Sequence, residues 1–363
     1  MSSEFRKIVE AVIVAQRGLY EQNQEFNEYY DEITGATLEG MNPSEVLFKC
    51  DQIKYETALD EWIEEQFNQN FELTLGLLKD SLIRGRVEAL VQVLKKGKVA
   101  PFVGAGLSIP CGKKSWPEIL RELGAQSKRI NQNDLNSLIE LGNYIEAAEI
   151  VESCLKTRLL EYLRTSLPAR DINGPIKILP DLSDECVITT NLDDIIEKVY
   201  RSAKRSFDDG YMYGTQDSHF MRQFIAGGRC LLKIHGDYQN EATQVFTKSQ
   251  YSNAYGEKEI HFDRPLPKIL RQIYISNTLL FLGSSLNFDK TLEIFKQVAE
   301  SNEYQIPWHY ALLETPENGE IEEREEILSP LQIVPIWYPS DKHEYVENFM
   351  GYLAAHRNGQ AYR

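Results

Sequence analysis

The sequence predicts an α/β protein, a parallel sheet covered by helices on both faces, preceded by an N-terminal α-helical segment. Three observations carry this. From Lys98 onward, short apolar runs alternate with helix-length amphipathic stretches. Those runs lack the in-out alternation of a half-exposed strand, as expected for strands buried on both faces. Residues 1–95, by contrast, show helical spacing only, in IVEAVIVAQRGLY (8–20) and in the long stretch 55–97, with a turn-like TGATLEGMNPSE between them.

Taken in order, the strands are VAPFVG (99–104), CVITTN (186–191), CLLKIHG (230–236), TLLFLGSS (278–285), WHYALLE (308–314) and IVPIWY (333–338). Helices are expected over 116–127, 134–167, 193–203, 266–277 and 288–301, with EIEEREE (320–326) as a solvated helix start. Strands joined by helix-length crossovers make a Rossmann-like parallel sheet. The expected organisation is a helical accessory segment, residues 1–95, and one α/β domain, residues 96–363. In the accessory segment, Tyr20, Phe26, Tyr29, Tyr30, Trp62, Phe67 and Phe71 read as packing or subunit contact.

Composition narrows the function classes. The chain has 363 residues, 42% hydrophobic and 26% charged, with a formal net charge of -16. Such a surplus of acid opposes electrostatic capture of nucleic acid or of an anionic membrane, so an anionic ligand must be held by local geometry. No run approaches the roughly 18 apolar residues of a spanning helix, and MSSEFRKIVEAV lacks a secretory pattern, so a cytoplasmic protein is expected. Cys50, Cys111, Cys154, Cys186 and Cys230 form no C-x-x-C pair, and no metal is expected.

The candidate chemistry lies at the strand ends. In an open parallel sheet, ligands bind outside the carboxyl ends of the strands. The first strand ends in Gly104-Ala105-Gly106-Leu107-Ser108, where glycines permit a sharp turn and close approach to a diphosphate. A tight strand-to-helix turn explains the glycines equally well. The second strand ends in Thr189-Thr190-Asn191-Leu192-Asp193, the third in Lys233-Ile234-His235-Gly236-Asp237, and the fourth in Gly283-Ser284-Ser285. Asp193 or Asp194 also reads as a helix cap, and Asp237 as a turn former or a partner of His235. Asp289 reads as a cap or first-turn acid, and Tyr251 as a pocket wall or packing. His219, His261, His309, His343 and His356 sit in loops or near-terminal segments and receive no role.

The order GAG-x-S, T-x-N-x-D, K-x-HG, LG-x-S-L resembles the sirtuin core over about residues 95–355. The resemblance is specifically to the divergent sirtuin-like domains of bacterial anti-phage defence proteins. It implies NAD as the ligand. Gly104, Ala105, Gly106 and Ser108 would hold the diphosphate, with Thr190 and Gly283 also at the ligand. Ser284 and Ser285 would reach the adenosine ribose or a phosphate. Asn191 would orient a water or the nicotinamide-side ribose, Asp193 would hold the ribose or the loop around it, and His235, titrating near neutrality, would be the general base.

Two departures separate the chain from protein-deacylating sirtuins. No cysteine lies between His235 and Gly283, where their zinc module sits, and Ile109-Pro110-Cys111 replaces the stretch after their glycine loop. The resemblance therefore implies an NAD+ glycohydrolase that depletes NAD during infection, with a non-catalytic NAD or ADP-ribose module or a deacylase as alternatives. It further implies a homo-oligomer, with a HerA-like hexameric ATPase as partner.

Overall fold

The computed structural model describes residues 14–35, 37, 40–207, 210–216, 220–286, 290–316 and 320–359. His219 and Asp289 lie outside the described residues, as does part of the stretch 8–20. The described residues divide into two compact units, one up to residue 72 and one from residue 73 on.

The first unit is helical, over 14–21, Gln24–Thr34, Pro43–Cys50 and Gln52–Asn70. Its aromatics pack on one another. Phe26 meets Tyr55 edge-on at 5.3 Å between centroids, Phe48 meets Tyr55 at 5.0 Å, and Trp62 lies 5.8 Å from Phe26. Asn27, buried beneath them, accepts a 2.7 Å hydrogen bond from the Tyr55 hydroxyl.

The second unit is a Rossmann-like α/β fold with a seven-stranded sheet among the described residues. Its strands are β1 (Val99–Val103), β2 (Cys186–Thr189), β3 (Tyr211–Tyr213), β4 (Cys230–Lys233), β5 (Thr278–Leu282), β6 (His309–Glu314) and β7 (Ile333–Tyr338). The order is β3-β4-β2-β1-β5-β6-β7, and every neighbouring pair is parallel. All five residues of β1 are buried, so both faces are covered. On one face Phe102, Ile188, Leu232, Phe281 and Ala311 share a core with helices Lys248–Tyr255, Pro265–Ser276 and Lys290–Glu300.

Helix Ser81–Lys95 belongs to this unit and is bound to the sheet. Arg86 donates to the Pro335 carbonyl of β7 at 2.7 Å and pairs with Glu325 at 2.9 Å. The helix expected over 134–167 is two helices, Gln132–Glu140 and Tyr144–Ser166, because Gly142 turns the backbone into the left-handed region at φ +75. With Trp116–Gly124 they build a separate small core around Leu120, Leu135, Ile139 and Val151.

His309 is a strand residue, inside the strand expected over 308–314 and not in a loop. It opens β6 fully buried, its Nδ1 accepts the Leu279 N–H at 3.0 Å, and its ring stacks on Tyr274 at 4.5 Å. Burial pushes its pKa down to about 3. The folded chain therefore keeps this ring neutral where the unfolded chain, titrating near 6.5, takes a proton. The unfolded state then binds more protons, and stability falls as pH drops below about 6.5. In a His309→Gln variant, the loss of stability between pH 7 and pH 5 should shrink by about 2 kcal/mol, read from urea unfolding. An unchanged loss would count against this assignment.

Candidate active site

The sheet order places a switch at β1. Strands β2, β4 and β3 run to one side and β5, β6 and β7 to the other, so the loops after β1 and β5 leave the sheet side by side at its carboxyl edge.

Those two loops are pinned together. The Gly104 N–H donates to the Leu282 carbonyl and the Gly106 N–H to the Gly283 carbonyl, each at 2.9 Å. A Cβ on Gly104 would stand 2.4 Å from the Gly283 oxygen, and Gly283 itself, at φ +63, would drive a Cβ into Leu107. The glycines are thus explained first by loop-on-loop contact. What the two loops leave at the surface are Ala105, Gly106 and Ser285, with Ser284 half-buried. The Ala105 N–H has no partner among the described residues. The Ser284 hydroxyl accepts the Leu286 N–H at 3.3 Å, and Arg324 holds the Ser285 carbonyl.

Behind the glycine loop lies a buried polar triad. Asn191 Nδ2 donates to Ser108 Oγ at 2.9 Å and to the Gly104 carbonyl at 3.1 Å. Ser108 Oγ donates in turn to Asp193 Oδ2 at 2.8 Å, while Asp193 Oδ1 accepts the Ile195 N–H at 3.1 Å. Desolvation raises the Asp193 pKa, against the pull of Lys233. All three residues are buried. Ser108 and Asp193 are hydrogen-bonded to each other behind the glycine loop, the arrangement that the loop-holding alternative for Asp193 requires. Asn191 keeps its Oδ1 uncommitted among the described residues, an acceptor able to hold a water or a hydroxyl.

His235 stands beside this group by register. Thr189 pairs with Lys233, so Asn191 and His235 each lie two residues past a matched pair. The Ile234 N–H donates to the Thr189 carbonyl at 2.8 Å, and the His235 ring bonds to the Thr190 backbone. Burial pushes the imidazole down to about 4, with the Thr190 bond opposing it. The expectation of titration near neutrality is therefore corrected: desolvation of the charged form dominates. Tyr251 is more than a wall, since its hydroxyl lies 2.9 Å from His235 Nε2.

Sequence reasoning left one neighbouring cluster without a role. Lys233 is fully buried, and its ammonium donates to Asp237 at 2.7 Å, to Glu197 at 3.0 Å, and to the carbonyls of Leu192 and Asp193. Asp237 therefore serves Lys233 and not His235. Burial alone would lower the Lys233 pKa, but Glu197 and Asp237 outweigh it and raise it. The available signal was a lysine inside a strand that is otherwise wholly apolar.

Comparison with known proteins gives a family match and several named relatives. Residues 185–336, which contain Asn191, Asp193 and His235, match the family model described as SIR2-like domain. Three curated relatives are each named NAD(+) hydrolase ThsA. The one from Acinetobacter baumannii (strain 532279) is 27% identical over 226 residues, 62% of this chain and 44% of the relative. That from Enterococcus faecium is 28% identical over 234 residues, 62% and 45% of the two chains. That from Bacillus cereus (strain MSX-D12) is 26% identical over 219 residues, 60% and 43%. The matched region spans less than half the length of each relative. Over residues 185–336 the family match coincides with the stretch in which the sequence resembles the sirtuin core.

Proposed function

We propose that this chain, through its SIR2-like domain, hydrolyses NAD+ to nicotinamide and ADP-ribose. The observation that carries the reading is the pairing of Asn191 and His235 at adjacent strand ends inside the region that matches the SIR2-like domain. The names of the relatives support the same substrate. In this reading the exposed Ala105 N–H takes the diphosphate, and Asn191 Oδ1 holds the attacking water. The bond from nicotinamide to ribose lengthens toward a cationic sugar, the water oxygen bonds to the ribose carbon, and His235 takes up the water proton.

The wider role that fits is depletion of cellular NAD in the cytoplasm as an anti-phage response. Control would come from homo-oligomeric assembly or a HerA-like ATPase. No helix among the described residues is long and apolar enough to cross a membrane.

The test is chromatographic. Incubated with NAD+ alone, the purified chain should yield nicotinamide and ADP-ribose in equal amounts. Turnover that requires an acyl-lysine peptide would instead identify a deacylase. Thermal stabilisation by NAD+ without any turnover, with candidate partners present, would identify a binding module.

A further inference from the structure

His235 Nε2 lies 2.9 Å from the Tyr251 hydroxyl, and the ring also bonds to the Thr190 backbone. The Thr190 backbone bond favours the charged ring, so Thr190 is the acceptor and the imidazole the donor. Because Nε2 is engaged by Tyr251, that donor is Nδ1–H, which leaves Nε2 as a lone pair and the Tyr251 hydroxyl as its donor at 2.9 Å. A proton can reach Nε2 only if the hydroxyl leaves or passes a proton through itself.

Leaving is opposed by packing. Tyr251 is 9% exposed, belongs to the main core, and stacks on Tyr255 at 5.5 Å. Its helix, Lys248–Tyr255, starts in a reciprocal cap. Thr247 accepts the Gln250 N–H, and Gln250 accepts the N–H groups of Thr247 and Phe246 at 3.0 Å each. Passing a proton requires only that the phenolic oxygen accept on one side while it donates on the other.

Resting on the NAD+ hydrolase reading, we propose that Tyr251 is a catalytic residue that relays the proton from the attacking water to His235. As the water oxygen bonds to the ribose carbon and nicotinamide departs with its bonding pair, one water O–H bond breaks and a new O–H forms on Tyr251. The original Tyr251 O–H breaks as Nε2–H forms. Tyr251 ends neutral and His235 ends as an imidazolium that later releases its proton to solvent.

The Tyr251→Phe variant keeps the ring and removes the relay. Nicotinamide release should fall by about 10²-fold or more, within the usual range for a lost proton-transfer group, while thermal stabilisation by NAD+ stays unchanged. In mixtures of light and heavy water, the wild-type rate should follow a bowed curve, two protons being in flight, and the residual variant rate a straight line. The His235 Nε2 resonance in ¹⁵N NMR of the ligand-free protein should shift when its donor is lost, a change that a purely packing role would not produce. An active wild type with a variant within threefold of it overturns the relay alone, as does an unmoved Nε2 resonance. A wild type that releases no nicotinamide defeats the hydrolase reading and the relay with it.

Discussion

His235→Ala is expected to lower nicotinamide release by about 10²- to 10⁴-fold while leaving NAD+ binding, read by thermal shift, intact. The expectation follows from position. His235 extends from β4 at the level at which Asn191 extends from β2, and no other histidine among the described residues is placed at this carboxyl edge beside β1. The low pKa, about 4, fixes the pH dependence. A base is useful only when unprotonated, so kcat/KM in the free enzyme should hold from neutrality down to about pH 4 and fall below it. For an unperturbed imidazole the fall would begin near pH 6.5. So weak a base suits a dissociative reaction. In the proposed hydrolysis the bond to nicotinamide would break first and the water would turn acidic only as it meets the cationic sugar, so little proton affinity is needed. Activity in His235→Ala within threefold of wild type would remove the imidazole from the chemistry. An acid limb near pH 6.5 would show instead that bound substrate or a conformational change resolvates the ring.

Most of the architecture is readable from the sequence because a strand buried on both faces must be apolar throughout. VAPFVG and IVPIWY appear within one residue of their expected bounds, and TLLFLGSS starts where expected and ends three residues early, at Leu282. β3 escapes because three residues, Tyr211–Tyr213, are too short to show any period, and their burial comes from pairing with β4. The break at Gly142 escapes because an isolated glycine inside an apolar-periodic stretch is compatible with a continuing helix.

The site shows the same division. That four strand ends carry Gly, Ser, Asn, Asp and His is written in the chain, and parallel topology gathers them. How those residues divide their work is not. Ser108 and Asp193 are 85 positions apart, and only the pairing of β1 with β2 turns them into one buried hydrogen bond. Tyr251 meets His235 because the chain returns to the carboxyl end of β4 after 16 residues, an event without local signature.

Lys233 is the sharpest such case and carries the largest stability effect. Its neighbours Leu232 and Ile234 are fully buried, so the ammonium had to find carboxylates inside the protein. That Glu197, 36 positions away, supplies one of them follows only from the fold. Lys233→Met keeps the length of the side chain and deletes the charge. It leaves Asp237 and Glu197 buried without their cation, a loss expected to cost about 3–5 kcal/mol in urea unfolding. Burial already raises the Glu197 pKa against the pull of Lys233, so without the lysine this acid should hold its proton to higher pH. A folded pKa raised above its unfolded value makes stability fall as pH rises through that interval. The variant should therefore be most destabilised near neutrality and recover part of the loss toward pH 5. Adding Glu197→Gln should restore some stability at pH 7, because one uncompensated charge is gone and the two sites are coupled. A loss below about 1 kcal/mol, or one independent of pH, would mean that the ammonium is dispensable and that water reaches the acids from the site side.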